Sequence, residues 1–198
     1  MEVEVDPLAW ERIGTLWKLW QSYGRSLNLT ADLREDVLRH HVGEGLQTAR
    51  CAQLLGNSTR SWLDIGAGGG FPGLIVSTLW RGPMVFVEPG RRRSAFLEFA
   101  VKSISTELVR VVRGRVEALG WVSVEGTRLE GRFDIVSGRA VFQFERWPGI
   151  AQTWADPRGF ILIHCKSGEM LPWPVQARVE GDRYAVAAVS CSDVSRET

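Results

Sequence analysis

A glycine-rich turn that follows a short apolar run is the feature of this sequence best suited to bind a nucleotide-like ligand. The segment WLDIGAGGGFPG covers residues 62–73 and carries one acidic residue, Asp64, inside its apolar part. Its glycines are Gly66, Gly68, Gly69, Gly70 and Gly73. Glycine lets backbone N–H groups approach a ligand closely, and a following helix presents its positive N-terminus. The pattern therefore predicts a cofactor site at the end of a strand.

Two glycine registers compete within this turn. The register that starts at Gly68 matches the dinucleotide fingerprint and would indicate NAD or FAD. The register that starts at Gly66 begins directly after the apolar run, but it places the bulky Phe71 where the fingerprint needs its third glycine. A carboxylate at Asp64 suits S-adenosylmethionine, which carries a sulfonium and an ammonium, better than a pyrophosphate. The charge favours S-adenosylmethionine, and a nicotinamide-dependent oxidoreductase is the alternative.

The next predicted strand, MVFVE over 84–88, ends in a second acidic residue, Glu88. Glu88 follows the first glycine by about 22 residues, the spacing at which a carboxylate meets a ribose hydroxyl. Both candidate cofactors contain this ribose, so Glu88 supports an adenosine group without separating them. In the alternative interpretation, Glu88 caps the helix that begins near Pro89.

Length and composition indicate one globular domain with an ordinary charge balance. The chain has 198 residues, of which 44% are hydrophobic and 24% are charged, and its net charge is +1. This charge argues against nucleic-acid binding over the whole surface, but not against local basic patches. No apolar segment reaches the length of a membrane span, and the acidic residues 1–6 do not resemble a signal peptide. Three widely spaced cysteines predict neither a disulfide framework nor a zinc site, which suits the cytoplasm.

The chain is predicted to begin with a helical extension over residues 1–58. The first helix starts after Asp6, and a second helical region follows Asp32, with a break at Gly43 and Gly45.

A Rossmann-like body over residues 59–198 follows, in which strands and helices alternate. Strands are predicted at 61–65, 84–88, 108–112, 133–137 and 159–165. Helices are predicted after the glycine turn, at 92–104, near 115–120 and around 143–155. This alternation indicates an α/β fold with a parallel sheet and helices on both faces. Two further strands flank Gly181, a hairpin signal that predicts one antiparallel strand.

Seven short motifs occur in a fixed order along most of the chain. They are NLTA (28–31), His41 with Glu44 and Leu46, LDIGAGGGFPG (63–73), EPGRRRSAFLEF (88–99), GRVEAL (114–119), FDIVSGRA (133–140) and KSGE (166–169). Together they resemble the ribosomal RNA small-subunit methyltransferase G family, also called glucose-inhibited division protein B. The resemblance implies the class I methyltransferase fold, a mostly parallel seven-stranded sheet with one antiparallel strand.

The resemblance also implies an activity and a partner. The expected reaction is transfer of a methyl group from S-adenosylmethionine to N7 of a guanine in 16S (small-subunit) ribosomal RNA. The expected partner is that RNA or the small ribosomal subunit. The protein is expected to be cytoplasmic and monomeric, without a membrane partner. Guanine N7 has a lone pair and carries no proton, so the reaction depends on alignment and water exclusion and no catalytic base is predicted.

The site residues follow from the glycine turn, the acidic strand ends and the resemblance. By similarity, Val116 and Glu117 hold the adenine end of the cofactor, and Arg139 lies at the same site. The expected cofactor-binding residues are Asp64, Gly66, Gly68, Gly70, Phe71, Glu88, Val116, Glu117 and Arg139. Arg139 and Lys166 are candidates for positioning the reactants.

Basic residues at the start of a predicted helix are the candidates for RNA binding. Arg91, Arg92 and Arg93 open this helix, where positive charge opposes the helix dipole, and Lys166 joins them as a candidate. A solvated charged face is the alternative. His41 and its neighbour His40 have no partner at metal-ligand spacing, so a structural role and no metal site are predicted.

The sequence departs from the family pattern at Glu44-Gly45, where the family usually shows Asp-Ser, and in a shortened segment after Lys166. These departures leave open a paralogous methyltransferase with a different acceptor, or a divergent orthologue. A non-catalytic RNA-binding assembly factor that retains the fold is a separate hypothesis.

Overall fold

The computed structural model describes residues 5–117, 120–123, 129, 131–139, 143 and 145–194. The helices are α1 (Pro7–Tyr23), α2 (Glu35–Gln53), α3 (Gly73–Leu79), α4 (Arg91–Ser103) and α5 (Trp147–Gln152). The strands are β1 (Trp62–Ile65), β2 (Met84–Glu88), β3 (Val109–Glu117), β4 (Gly120–Ser123), β5 (Phe133–Gly138), β6 (Ala155–Lys166), β7 (Val175–Glu180) and β8 (Tyr184–Ser190). No helix in these ranges is long and apolar enough to span a membrane.

The strands form one sheet with the order β4-β3-β2-β1-β5-β6-β8-β7. Strands β3, β2, β1, β5 and β6 pair in parallel, and β8 runs antiparallel to both β6 and β7. The predicted mostly parallel seven-stranded sheet with one antiparallel strand is therefore confirmed. The short β4 extends it by pairing antiparallel with β3 at the edge.

Two local predictions are wrong. The helix predicted near 115–120 is instead the end of β3, which continues to Glu117 and pairs with β4, Val116 lying opposite Trp121. The helical break predicted at Gly43 and Gly45 does not occur, because α2 is continuous to Gln53. At Gly45 the missing side chain serves packing, since a Cβ there would overlap the side chain of Ile75 in α3.

Side chains alternate between the two faces of the sheet, as expected for strands buried on both sides. Trp62 and Phe86 belong to the hydrophobic cluster on one face, which also contains buried residues of α1, α2, α3 and α4. Leu63 and Val87 belong to the cluster on the other face, with residues of α5. The N-terminal helices therefore share a core with the sheet.

Helix α1 holds the glycine turn from outside the sheet. Asp6 Oδ1 caps the helix by accepting a hydrogen bond of 2.7 Å from the Ala9 N–H. Fully buried Trp20 donates from its indole nitrogen to the Gly69 carbonyl at 2.9 Å. The rings of Trp20 and Phe71 lie 4.3 Å apart. This packing fixes the turn that the cofactor site requires.

Candidate active site

A cleft of about 620 Å³ lies at the carboxyl ends of β1, β2, β3 and β5. Ligands of open α/β sheets bind at this edge, and the volume falls within the range of small-molecule sites. The lining residues come from the N-terminal loop, α2, the glycine turn and the strand ends. They are Leu29, Thr30, His41, Ile65, Gly66, Ala67, Gly68, Gly69, Phe71, Val87, Glu88, Pro89, Arg93, Gly114, Arg115, Val116 and Arg139.

The glycine turn has a backbone that side chains would strain. Gly66, Gly68 and Gly70 have φ angles of +73°, +59° and +90°, in the region that favours glycine. Gly69 has a different reason to be glycine, because a Cβ there would lie 2.5 Å from the carbonyl oxygen of Leu29. The loop that contains Leu29 therefore lies directly against the turn and forms one wall of the cleft.

Glu88 ends β2 with its carboxylate held by backbone amides. Oε2 accepts a hydrogen bond of 2.9 Å from the Gly68 N–H, and Oε1 accepts one of 2.8 Å from the Gly90 N–H. Glu88 is buried yet lines the cleft. Each oxygen has a second lone pair. A fixed carboxylate of this kind can accept hydrogen bonds from a pair of ribose hydroxyls.

Asp64 lies behind the glycine turn and does not line the cleft. Its Oδ1 accepts a hydrogen bond of 2.8 Å from the Ser137 hydroxyl, which in turn accepts one of 2.7 Å from the Trp62 indole. Oδ2 is buried and has no hydrogen-bond partner among the residues that the structure describes. Burial raises the pKa of Asp64 to about 7, and the Ser137 hydrogen bond and the Arg139 charge offset only part of this effect.

The structure brings most of the expected cofactor-binding residues together. Those that line the cleft are Gly66, Gly68, Phe71, Glu88, Val116 and Arg139. Gly70 lies beneath the turn, where a Cβ would overlap the side chain of Leu74. Glu117 ends β3, and its side chain falls outside the described part of the structure.

The RNA-binding candidates separate into two groups. Arg91 and Arg92 are exposed at the first turn of α4. Arg93 instead lines the cleft and donates a hydrogen bond of 3.1 Å to the Asn28 carbonyl. Lys166 is exposed at the end of β6 and is not among the residues that line the cleft.

His41 is a cleft residue that the sequence interpretation missed. Its ring stacks on Phe71, with centroids 4.4 Å apart and an interplanar angle of 26°. Arg139 Nη1 lies 3.2 Å from His41 Nδ1. Arg139 Nε lies 3.0 Å from Oε1 of Glu44, one helical turn beyond His41. The i, i+3 spacing of His41 and Glu44 on one helix face was the available signal.

Glu44 is a buried carboxylate surrounded by basic groups. Besides Arg139, the ring of His164 in β6 approaches Glu44 Oε1 to 3.3 Å without the alignment of a hydrogen bond, and His41 lies at 4.0 Å. Burial alone would raise the pKa of Glu44. The His164 ring and the Arg139 charge outweigh burial and lower this pKa to about 2. The side chain is therefore an anion at neutral pH.

Comparison with known families identifies the chain's relationship. The model of the rRNA small subunit methyltransferase G family, GidB, matches residues 11–170. The chain belongs to this family.

Curated members of the methyltransferase G family resemble the chain at about 30% identity. The protein from Paracoccus denitrificans is 31% identical over 55% of this chain and 56% of its own length. The protein from Parvibaculum lavamentivorans is 31% identical over 72% of this chain and 57% of its own length. The protein from Rhizobium rhizogenes is 28% identical over 70% of this chain and 64% of its own length. The matches therefore span between one half and two thirds of these relatives.

Solved structures place the fold of this methyltransferase G family member among methyltransferases. A ribosomal protein L11 methylase from Lactobacillus delbrueckii has a TM-score of 0.58 at 10% identity, covering 75% of this chain and 78% of its own. An O-methyltransferase from Bacillus cereus, solved in complex with SAH, has a TM-score of 0.56 at 16% identity. The match covers 89% of this chain and 91% of that protein. The predicted class I methyltransferase fold is confirmed.

The family assignment gives the unusual Glu44-Gly45 pair a structural context. Gly45 allows α2 to approach α3 closely at Ile75, and Glu44 extends from the same turn to Arg139. The position at which the sequence departs from the family pattern therefore carries a carboxylate that pairs with Arg139.

Proposed function

We propose that the chain transfers a methyl group from S-adenosylmethionine to N7 of a guanine in small-subunit ribosomal RNA. The observation that carries the proposal is the cleft at the carboxyl ends of the parallel strands, which combines a turn of positive-φ glycines with the fixed Glu88 carboxylate. This cleft lies in a chain whose family is that of an rRNA methyltransferase.

The residues present fit S-adenosylmethionine. Glu88 would accept hydrogen bonds from its ribose, and the buried Val116 side chain would contact its adenine. The backbone at Gly66 and Gly68 leaves room for the ligand beside the turn. Asp64 would act from behind the turn, through its hydrogen bond with Ser137.

The chemistry requires alignment rather than proton transfer. S-adenosylmethionine supplies an electrophilic methyl group, which moves from sulfur to N7 together with its positive charge. The protein binds both reactants in one cleft and excludes water from it, which lowers the entropic cost of alignment. Glu44 holds the Arg139 guanidinium at the edge of this cleft through their ion pair.

Exposed basic residues beside the cleft would bind RNA phosphates. Arg91 and Arg92 project from the start of α4, whose third residue, Arg93, lines the cleft. This adjacency supports a binding path in which phosphates contact the helix while one base enters the cleft. Lys166, at the end of β6, would contact the RNA from the other side of β5.

Methyl transfer to small ribosomal subunits tests the proposal. Subunits from a strain that lacks this protein would be incubated with the chain and tritium-labelled S-adenosylmethionine, and the labelled base would be mapped by cleavage chemistry specific for 7-methylguanine. We expect label at one guanine N7. Calorimetry with S-adenosylmethionine and with NAD would accompany the assay. Binding of S-adenosylmethionine without label in the RNA would refute the proposed acceptor, and binding of NAD alone would refute the proposed cofactor.

A further inference from the structure

The cleft has two chemically different sides, and the proposed function leaves one of them for the acceptor base. Glu88 and Val116 form the side that fits the adenosine group. Thr30, His41 and Arg139 form the polar part of the other side. A role of this second side in selecting a guanine rests on the proposed function.

Arg139 fixes the hydrogen-bonding role of His41. A guanidinium only donates hydrogen bonds, so at 3.2 Å Arg139 Nη1 donates to His41 Nδ1. The His41 Nδ1 atom therefore acts as an acceptor, and the proton of the neutral ring lies on Nε2. Glu44 holds the arginine in this arrangement from 3.0 Å. The buried carboxylate thus determines, through Arg139, which nitrogen of His41 is a donor.

Among the described residues, the Nε2–H group of His41 has only a long hydrogen-bond contact. Its partner is Thr30 Oγ1 at 3.5 Å. The Thr30 hydroxyl itself donates to the Asp32 carbonyl at 3.3 Å, so it does not compete as a donor. Stacking on Phe71 holds the ring plane in place. A ligand acceptor at the cleft could replace the long contact by a shorter one with little rearrangement.

We propose that His41 is the specificity-determining residue of the acceptor side, and that its Nε2–H donates to O6 of the guanine whose N7 takes the methyl group. O6 lies next to N7 on the same edge of guanine, whereas adenine presents an amino donor at that position. A fixed donor therefore accepts guanine and repels adenine. N7 keeps its lone pair for the methyl group, because His41 binds the neighbouring atom.

Base analogues test the inference on the unmodified protein. Small subunits would be reconstituted with the mapped target guanine replaced by inosine, which keeps O6 and N7, or by 2-aminopurine, which lacks O6. We expect transfer to inosine within about threefold of guanine, and at least a tenfold lower kcat/KM for 2-aminopurine, because 2-aminopurine offers no acceptor to the His41 Nε2–H group. Equal transfer to guanine and 2-aminopurine would overturn the inference while leaving the proposed function intact.

Variants then assign the effect to His41. His41→Phe keeps a ring against Phe71 but removes the donor. His40→Phe is the control, because His40 is exposed and its ring hydrogen-bonds to the Asp36 carbonyl of its own helix. We expect His41→Phe to lose the preference for guanine over 2-aminopurine, with S-adenosylmethionine affinity unchanged by calorimetry, and His40→Phe to retain both. If His41→Phe kept the full preference for guanine over 2-aminopurine, the inference would be overturned. Absence of any transfer to guanine by the wild type would instead mark failure of the proposed function.

Discussion

Glu44 Oε1 lies 3.0 Å from Arg139 Nε, and this ion pair joins helix α2 to the carboxyl end of strand β5. The glutamate side chain is 8% exposed and the arginine side chain 28%. The pair ties the N-terminal helices to the cleft edge at which Arg139 and His41 meet. Glu44 is therefore one of the residues that connect the helical extension to the site.

We expect Glu44→Gln to lower the free energy of unfolding by about 1–3 kcal/mol, because it removes the charge that pairs with a partly buried guanidinium. Glu44→Asp keeps the charge and should lower the free energy of unfolding by less. Chemical denaturation of Glu44→Gln, Arg139→Gln and the double variant forms a double-mutant cycle. A coupling energy near zero would show that the ion pair does not contribute to stability.

Gly66→Val should abolish binding of S-adenosylmethionine. Gly66 has a φ of +73° and lines the cleft, so a branched side chain would strain the turn and fill space beside the ligand. Calorimetric titration measures the loss, which we expect to exceed a hundredfold. Gly14→Ala in α1 is the matched control, because a Cβ there meets nothing within 4 Å. Normal binding by Gly66→Val would show that the glycine turn is not the cofactor site.

Arg91→Ala combined with Arg92→Ala should weaken RNA binding without affecting cofactor affinity. Each lost phosphate contact reduces the slope of log K against log salt by roughly 0.7–0.9. Salt-dependent binding of small-subunit RNA measures this change. Arg81→Ala with Arg158→Ala removes the same charge near the opposite ends of the strands and should leave the slope unchanged. Equal effects of the two double variants would mean that only net charge matters.

Stability should fall as pH rises because of Asp64. The pKa of this carboxyl is about 7 in the native state, well above its ordinary value of 3.8. The native state therefore binds the proton more firmly than the unfolded chain between about pH 4 and 7, and the free energy of unfolding decreases across that window, by up to about 4 kcal/mol. Denaturation of the ligand-free protein should show this decrease in the wild type but not in Asp64→Asn. The exposed Asp182→Asn serves as the control, and parallel curves for all three proteins would exclude Asp64 as the source.

Two glycines of α2 should respond oppositely to alanine. A Cβ at Gly43 meets nothing within 4 Å, so Gly43→Ala should stabilise the protein by about 0.5–1 kcal/mol through helix propensity. A Cβ at Gly45 would overlap Ile75, so Gly45→Ala should destabilise it by about 1–3 kcal/mol. Thermal denaturation separates the two. A similar shift in both variants would show that α2 can move away from α3 at no cost.

Sequence patterns predicted most of the architecture because they reflect short-range rules. Strand alternation located β1, β2 and β5 within a residue or two of their observed limits. The same reasoning failed at 115–120, where β3 continues to Glu117. The pairing of β3 with β4 stabilises this extension, and such a partner is not visible from local propensity.

For the site, the residues alone predicted the glycine turn and the acidic strand ends, and the family resemblance added Val116 and Arg139. Which of these residues face the cleft depends on the folded chain. Strand alternation turns Asp64 behind the glycine turn, whereas Glu88, the last residue of β2, lines the cleft. The packing of α2 against the body brings Glu44 and His41 to Arg139, a contact between distant segments that no local pattern encodes. The sequence specifies the chemistry of each side chain, but the packing of the whole core brings distant side chains together.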